Sequence, residues 1–102
     1  MVEAGIMSWI DSAITKNKVM VFSKSSCPYC SKTKELLIQK RVQYGLIELD
    51  QLHDGEARQN ALQKKTGQRT VPNIFIYGKH IGGNSELQAL NKKGQLDELF
   101  PF

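Results

Sequence analysis

The apolar run "KVMVF" at residues 18–22 is separated by only six residues from a helical pattern that starts at Tyr29, and this change of hydrophobic period recurs along the chain. Few folds satisfy such a pattern. Strands that alternate with helices need crossover connections, which favour parallel pairing and a sheet covered on both faces. Before the run, Ile6, Trp9, Ile10, Ala13 and Ile14 fall at helical spacing and predict an amphipathic helix over 5–16. After it, residues 29–39 set Thr33, Leu36 and Leu37 on one side and lysines on the other. "YGLIELD" at 44–50 alternates like a strand, and residues 54–67 carry Ala57, Ala61 and Leu62 at helical intervals before Gly67 stops them.

The second half reads differently. "NIFIY" at 73–77 and "KHIGG" at 79–83 meet around Gly78, which predicts a hairpin and an antiparallel pair. Ser85 is expected to cap a helix running through Leu87 and Leu90 to Lys93, and Gly94 followed by "QLDELF" predicts one further short helix. The order α-β-α-β-α-β-β-α-α places the chain in the α/β class, with a small four-stranded mixed sheet and helices on both faces.

A length of 102 residues supports one compact domain, 1–102, with one modest core. No apolar run reaches the ~20 residues of a membrane span, and the first residues carry no basic segment followed by an apolar one. A cytoplasmic protein with no membrane contact is therefore expected. Fourteen basic against ten acidic residues give a net charge of +4. The basic residues are scattered and not interleaved with aromatics, so they read as a solvated surface and not as a nucleic-acid site.

In a reducing compartment, a Cys-x-x-Cys pair points to catalysis or metal binding. Cys27 and Cys30, the only cysteines, stand between the first strand and the second helix. The unpaired N–H groups and positive end of a helix favour an anion, so they stabilise a Cys27 thiolate, while Cys30 lies one turn in and buried. Lys24 adds positive charge, and Pro28 suits the first turn because it lacks an N–H. An unperturbed thiol with a pKa of about 8.5 is only a few per cent thiolate at pH 7, so the shift matters. A structural zinc site would need four ligands, and His53 and His80 stand in no finger-like spacing. Haem attachment would need histidine at position 31, which is Ser31. A structural disulfide here would close a loop too short to constrain the unfolded chain much. Redox catalysis of the thioredoxin-like type is the reading that fits.

"CPYC" together with "TVPNIFIYGKHIGGNSEL" resembles the dithiol, CPYC-type glutaredoxins, and the similarity runs from Val19 to Leu99. The fragments "LIELD", "DGEARQNAL" and "KHIGGNSEL" are most similar to fungal-type cytosolic members. The resemblance implies a thioredoxin-like fold and a glutathione-dependent thiol–disulfide oxidoreductase, with glutathione as cosubstrate and no tightly bound cofactor or metal. Its partners would be glutathione, glutathionylated and disulfide-containing proteins and, indirectly, glutathione reductase, and the chain would act as a monomer. Cys27 would be the nucleophile, forming a mixed disulfide with glutathione that a second glutathione resolves, and Cys30 would resolve protein disulfides.

The resemblance also implies a cradle for the tripeptide. Thr70-Val71-Pro72 is similar to the family's cis-proline loop, with the Val71 backbone pairing strand-fashion with the peptide's cysteine unit. Gly82, Gly83, Asn84 and Ser85 would seat the γ-glutamyl carboxylate at a helix start. Lys24 and Gln59 would take the glycine carboxylate, with Arg69 as a further candidate, and Tyr29 would line the groove. Many relatives carry an Asp pair where this chain has Asn84-Ser85-Glu86, so the partner of the γ-glutamyl amine is open. Two other readings are a [2Fe–2S] carrier, bridged between two subunits by the first cysteine of each and two glutathiones, and a thioredoxin reduced by a flavoprotein. Pro28 argues against the cluster, since cluster binding in the family goes mainly with a more permissive residue there or with a single active cysteine. The Pro-Tyr dipeptide argues against a thioredoxin.

Overall fold

A computed structural model describes residues 2–100 of the chain. Helix α1 (Val2–Lys16) leads into β1 (Val19–Ser23), α2 (Pro28–Gln39), β2 (Gly45–Glu48), a 3-10 turn (Leu49–Gln51), α3 (Gly55–Thr66), β3 (Asn73–Ile76), β4 (Lys79–Gly82), α4 (Asn84–Lys92) and α5 (Gln95–Glu98). The strands form one mixed sheet in the order β2-β1-β3-β4. β1 pairs parallel with β2 and antiparallel with β3, and β3 pairs antiparallel with β4. Among the described residues, no helix is long and apolar enough to cross a membrane.

Alternation along the central strand sorts the core into two layers. Met20 and Phe22 face Ile6, Ile10 and Ile14 of α1 and Ala61 and Leu62 of α3. Val19 and Val21 face Leu36 and Leu37 of α2, Leu87 of α4 and Leu96 of α5. On the first side Phe22 takes edge-on contacts from Trp9 and Phe75 at centroid distances of 6.2 and 6.0 Å. Arg58 ties α3 to α1, its guanidinium 4.1 Å from the Trp9 ring and paired twice to Asp54.

Two expectations are corrected. The predicted strand over 44–50 stops at Glu48, because β2 is an edge strand with only Met20–Ser23 to pair against, and Leu49 turns into the core at 1 % exposure. Ser85 is not the cap of α4. Gly83 holds that position in extended geometry, and the Glu86 carboxylate accepts its N–H at 2.6 Å, so the capping group is a side chain three residues inside the helix. The hairpin appears as expected, with both Tyr77 (φ 51) and Gly78 (φ 77) left-handed, as a two-residue turn of this hand requires.

Gly55 opens α3 directly against the preceding turn, and a Cβ there would lie 1.9 Å from the Leu49 carbonyl oxygen, whereas at Gly5 in α1 it would meet nothing within 4 Å. Gly55→Ala is expected to destabilise by about 3 kcal/mol, the upper end of what overpacking costs. Gly5→Ala should instead stabilise by about 0.5–1 kcal/mol, the helix preference of alanine over glycine. Urea unfolding midpoints separate them, and similar shifts in both variants would contradict this packing of α3.

Candidate active site

β1 delivers the chain to the edge of the sheet, where a turn closes by donation from the Cys27 N–H to the Lys24 carbonyl at 3.1 Å. Asp50, just after β2, holds this turn from the side by accepting the Ser25 N–H at 3.1 Å together with the Ser25 hydroxyl. The same hydroxyl and then the N–H keep the Asp50 carboxyl below its ordinary pKa. Cys27 thus arrives at the N-cap of α2 in extended geometry, with Pro28 entering the first turn. Its carbonyl accepts the Ser31 N–H at 3.1 Å, the first bond of the helix.

The two sulfurs differ as a helix terminus dictates. Partial burial pushes the Cys27 thiol up, but the Cys30 N–H, the Cys30 thiol, the Tyr29 N–H and the Lys24 charge, in falling order, bring it below its ordinary value. Lys24 contributes the least of these, so the backbone matters more than the lysine. Cys30 is fully buried, and burial pushes its thiol up. The Ser23 hydroxyl and the Lys24 N–H, 3.4 Å from its sulfur, offset this only in part, and the neighbouring Cys27 adds to the rise. Both thiols are free.

Opposite the thiols stands the segment Thr70–Pro72, and the Val71–Pro72 peptide bond is cis. The Cys27 thiol lies 3.8 Å from the Val71 carbonyl oxygen, to which it donates. A cleft of about 240 Å³ opens here, walled by Tyr29, by Thr70, Val71 and Pro72, and by Gly83, Asn84, Ser85 and Glu86. A larger cleft of about 540 Å³ lies at the opposite end of β1, between Lys16–Val19 and Val42–Tyr44, and contains no thiol.

Of the residues singled out in the sequence, Tyr29, Thr70, Val71, Pro72, Gly83, Asn84 and Ser85 come together around the first cleft. Within that set the Gly83 N–H is already taken by Glu86, so the groups left without an intrahelical acceptor are the N–H groups of Asn84 and Ser85. The Asn84 side chain is also engaged, its Oδ1 accepting from the Thr33 hydroxyl at 2.9 Å and the Gln88 amide at 3.1 Å. Lys24 and Gln59 stand off the cleft walls. Lys24 lies beside the thiols, whereas Gln59 is 8 % exposed and donates its amide to the Arg69 carbonyl at 2.8 Å. The Arg69 guanidinium is held by Asn60 of α3.

Sequence reading assigned no role to Glu86 and passed over Gln68 and Asn73. Glu86 brings a carboxylate to the cleft. Gln68 donates to the Thr70 and Pro72 carbonyls, and Asn73, 1 % exposed at the head of β3, donates to the Gln68 carbonyl and bonds His80. A polar residue opening the apolar stretch "NIFI" was the available signal for Asn73.

Residues 19–81 match the family described as Glutaredoxin. Over 83 residues the chain is 52% identical to a glutaredoxin of Vernicia fordii, covering 81% of this chain and 80% of that one. Over 87 residues it is 46% identical to the mitochondrial glutaredoxin-2 of Mus musculus, covering 85% of this chain and 56% of that one. The structure is similar to that of a buckwheat glutaredoxin solved as a glutathione complex, with a TM-score of 0.92 and 43% identity over 95% of this chain and 88% of that one. The four-stranded mixed sheet is thus the thioredoxin-like fold of these proteins. The likeness is not specific to fungal cytosolic members, since a plant protein and a mammalian mitochondrial one share it over most of the chain.

The order of the groups acting on Cys27 yields a measurable ranking. Iodoacetamide alkylation against pH should titrate below the value of about 8.5 for a free thiol. Cys30→Ala removes a donor that outranks Lys24 and should raise the midpoint more than Lys24→Gln does. A larger rise in the Lys24 variant would show that charge, and not hydrogen bonding, holds the thiolate.

Proposed function

The chain belongs to the glutaredoxin family, and we propose that it is a glutathione-dependent thiol–disulfide oxidoreductase that reduces protein–glutathione mixed disulfides through the Cys27 thiolate. The observation that carries this reading is the Cys27 sulfur at the N-terminus of α2, facing the Val71 backbone beside the cleft.

The Cys27 thiolate attacks the glutathione sulfur of the substrate. The Cys27–glutathione bond forms, the substrate–glutathione bond breaks, and the departing thiolate takes a proton from water. The thiolate of a second glutathione then attacks the same glutathione sulfur, giving oxidised glutathione and the free Cys27 thiolate. Because its pKa is low, Cys27 is a good leaving group as well as a ready nucleophile at neutral pH. For a protein disulfide, Cys30 gives up its proton and attacks the Cys27 sulfur, closing the Cys27–Cys30 disulfide and releasing the second substrate thiol, and two glutathiones reopen it. Burial first, and the neighbouring Cys27 to a lesser degree, keep the Cys30 thiol protonated, and a mixed disulfide at Cys27 lifts only the second of these.

In the proposed binding mode, the Val71 backbone pairs with the cysteine unit of glutathione and the free N–H groups of Asn84 and Ser85 receive the γ-glutamyl carboxylate. Glu86, the carboxylate at the cleft, takes the γ-glutamyl amine. Lys24 faces the glycine end, and Gln59 serves it indirectly by shaping the Arg69 backbone. The proposed setting is the cytosol, a reducing compartment in which a glutathione pool can return a Cys-x-x-Cys pair such as Cys27 and Cys30 to its dithiol form.

A coupled assay with glutathione, glutathione reductase and a glutathionylated peptide tests the reading. The natural chain should turn over only with glutathione. Cys30→Ser should retain deglutathionylation and lose most reduction of protein disulfides, while Cys27→Ser should lose both. Equal losses in the two variants would contradict the assigned roles. A colourless monomer accords with this chemistry, whereas a brown dimer would favour the iron–sulfur reading.

A further inference from the structure

The segment Arg69–Pro72 presents four successive carbonyls, and each has a donor. Gln59 donates to Arg69 at 2.8 Å, the Cys27 thiol to Val71 at 3.8 Å, and the single side-chain amide of Gln68 to both Thr70 at 3.1 Å and Pro72 at 3.0 Å. An amide nitrogen carries two N–H groups, one for each carbonyl, and since both partners are acceptors only that end of Gln68 can face them. The bridge spans Val71, the residue whose backbone meets the sulfur.

Gln68 is itself held on a firm base. Its backbone N–H donates to the Thr66 hydroxyl at 3.0 Å, and its carbonyl accepts from the Asn73 amide at 3.4 Å. The buried Asn73 side chain is anchored in turn by His80 of β4, whose Nε2 lies 2.9 Å from Asn73 Oδ1. The α4 end is also close, since a Cβ on Gly83 would lie 3.4 Å from the Pro72 oxygen and 3.8 Å from the Gln68 amide nitrogen. Both walls of the cleft therefore meet at this amide.

We propose that Gln68 is a positioning residue for the tripeptide: by bridging the Thr70 and Pro72 carbonyls it fixes the Val71 backbone in the orientation that pairs with the substrate's cysteine unit. This rests on the glutathione reading of the cleft. Removing the bridge frees Val71 to rotate, so the tripeptide must order the loop as it binds. Thiolate formation changes little, because the groups that lower the Cys27 pKa belong to α2 and to Lys24, and the Val71 carbonyl meets only the thiol form, at 3.8 Å.

Gln68→Met keeps the length of the side chain and removes the donor, and Gln68→Glu places an acceptor against the two carbonyls. With a glutathionylated peptide at fixed glutathione, kcat/KM should fall about tenfold in Gln68→Met, the worth of about one hydrogen bond, and at least as far in Gln68→Glu. Single-turnover reduction of cystamine, a small disulfide without the tripeptide, and iodoacetamide alkylation at each pH should stay within about twofold of the natural chain, the scatter expected where no hydrogen bond is lost. An unchanged kcat/KM in both variants, or equal loss with the peptide, with cystamine and in alkylation, would overturn the positioning role. A natural chain without glutathione-dependent turnover would overturn the functional reading instead, so the two failures are distinguishable.

Discussion

The first-turn N–H groups of α2 have no carbonyl within the helix to bond, and the Cys27 sulfur stands at the N-cap beside them, where the Cys30 and Tyr29 N–H groups favour its thiolate. Much of the architecture serves that contact. The buried β1 fixes where the helix begins, Pro28 removes one competing N–H, and the Asp50–Ser25 bonds hold the turn between strand and helix. Leu36 and Leu37 seat the far end of α2 against the sheet, so the helix terminus cannot drift from the loop that faces it. A pKa change of one unit corresponds to about 1.4 kcal/mol, which is within reach of two or three hydrogen bonds to a thiolate.

The same geometry divides labour between chemically identical side chains. Cys27 stands where donors converge and solvent reaches it, whereas Cys30, one turn later, is sealed beneath it and penalised for ionising. Across the gap, the loop that meets the sulfur is held by glutamine amides on its carbonyls as well as by the packing of Val71 against the core. The cleft beyond it combines helix N–H groups with one carboxylate, a pattern complementary to an amino acid's own carboxylate and amine.

The fold was legible where period and punctuation agreed. The alternating elements, the hairpin at Gly78 and the place of Cys27 follow from patterns that tertiary contacts reinforce. The end of β2 was not legible, because "YGLIELD" keeps its alternation past the point where β1 offers partners, and only the sheet decides that Leu49 turns inward. Ser85 misled because serine is a good cap, yet Gly83 permits close approach to Pro72 and Glu86 supplies the bond instead. Gln59 and Gln68 show the limit most plainly. Gln59 reads as a ligand of the glycine carboxylate and Gln68 as an ordinary loop amide, yet both are committed to backbone carbonyls, Gln59 across from α3 to Arg69 and Gln68 within its own loop to Thr70 and Pro72.

The central claim is that one sulfur, one strand-like backbone and one helix terminus together read a single tripeptide. A crystal structure of the Cys30→Ser chain trapped as its mixed disulfide with glutathione tests it most directly. The account predicts two hydrogen bonds between the glutathione cysteine unit and the Val71 backbone, with the γ-glutamyl carboxylate at the N–H groups of Asn84 and Ser85. A tripeptide attached to Cys27 but lying away from both would contradict it.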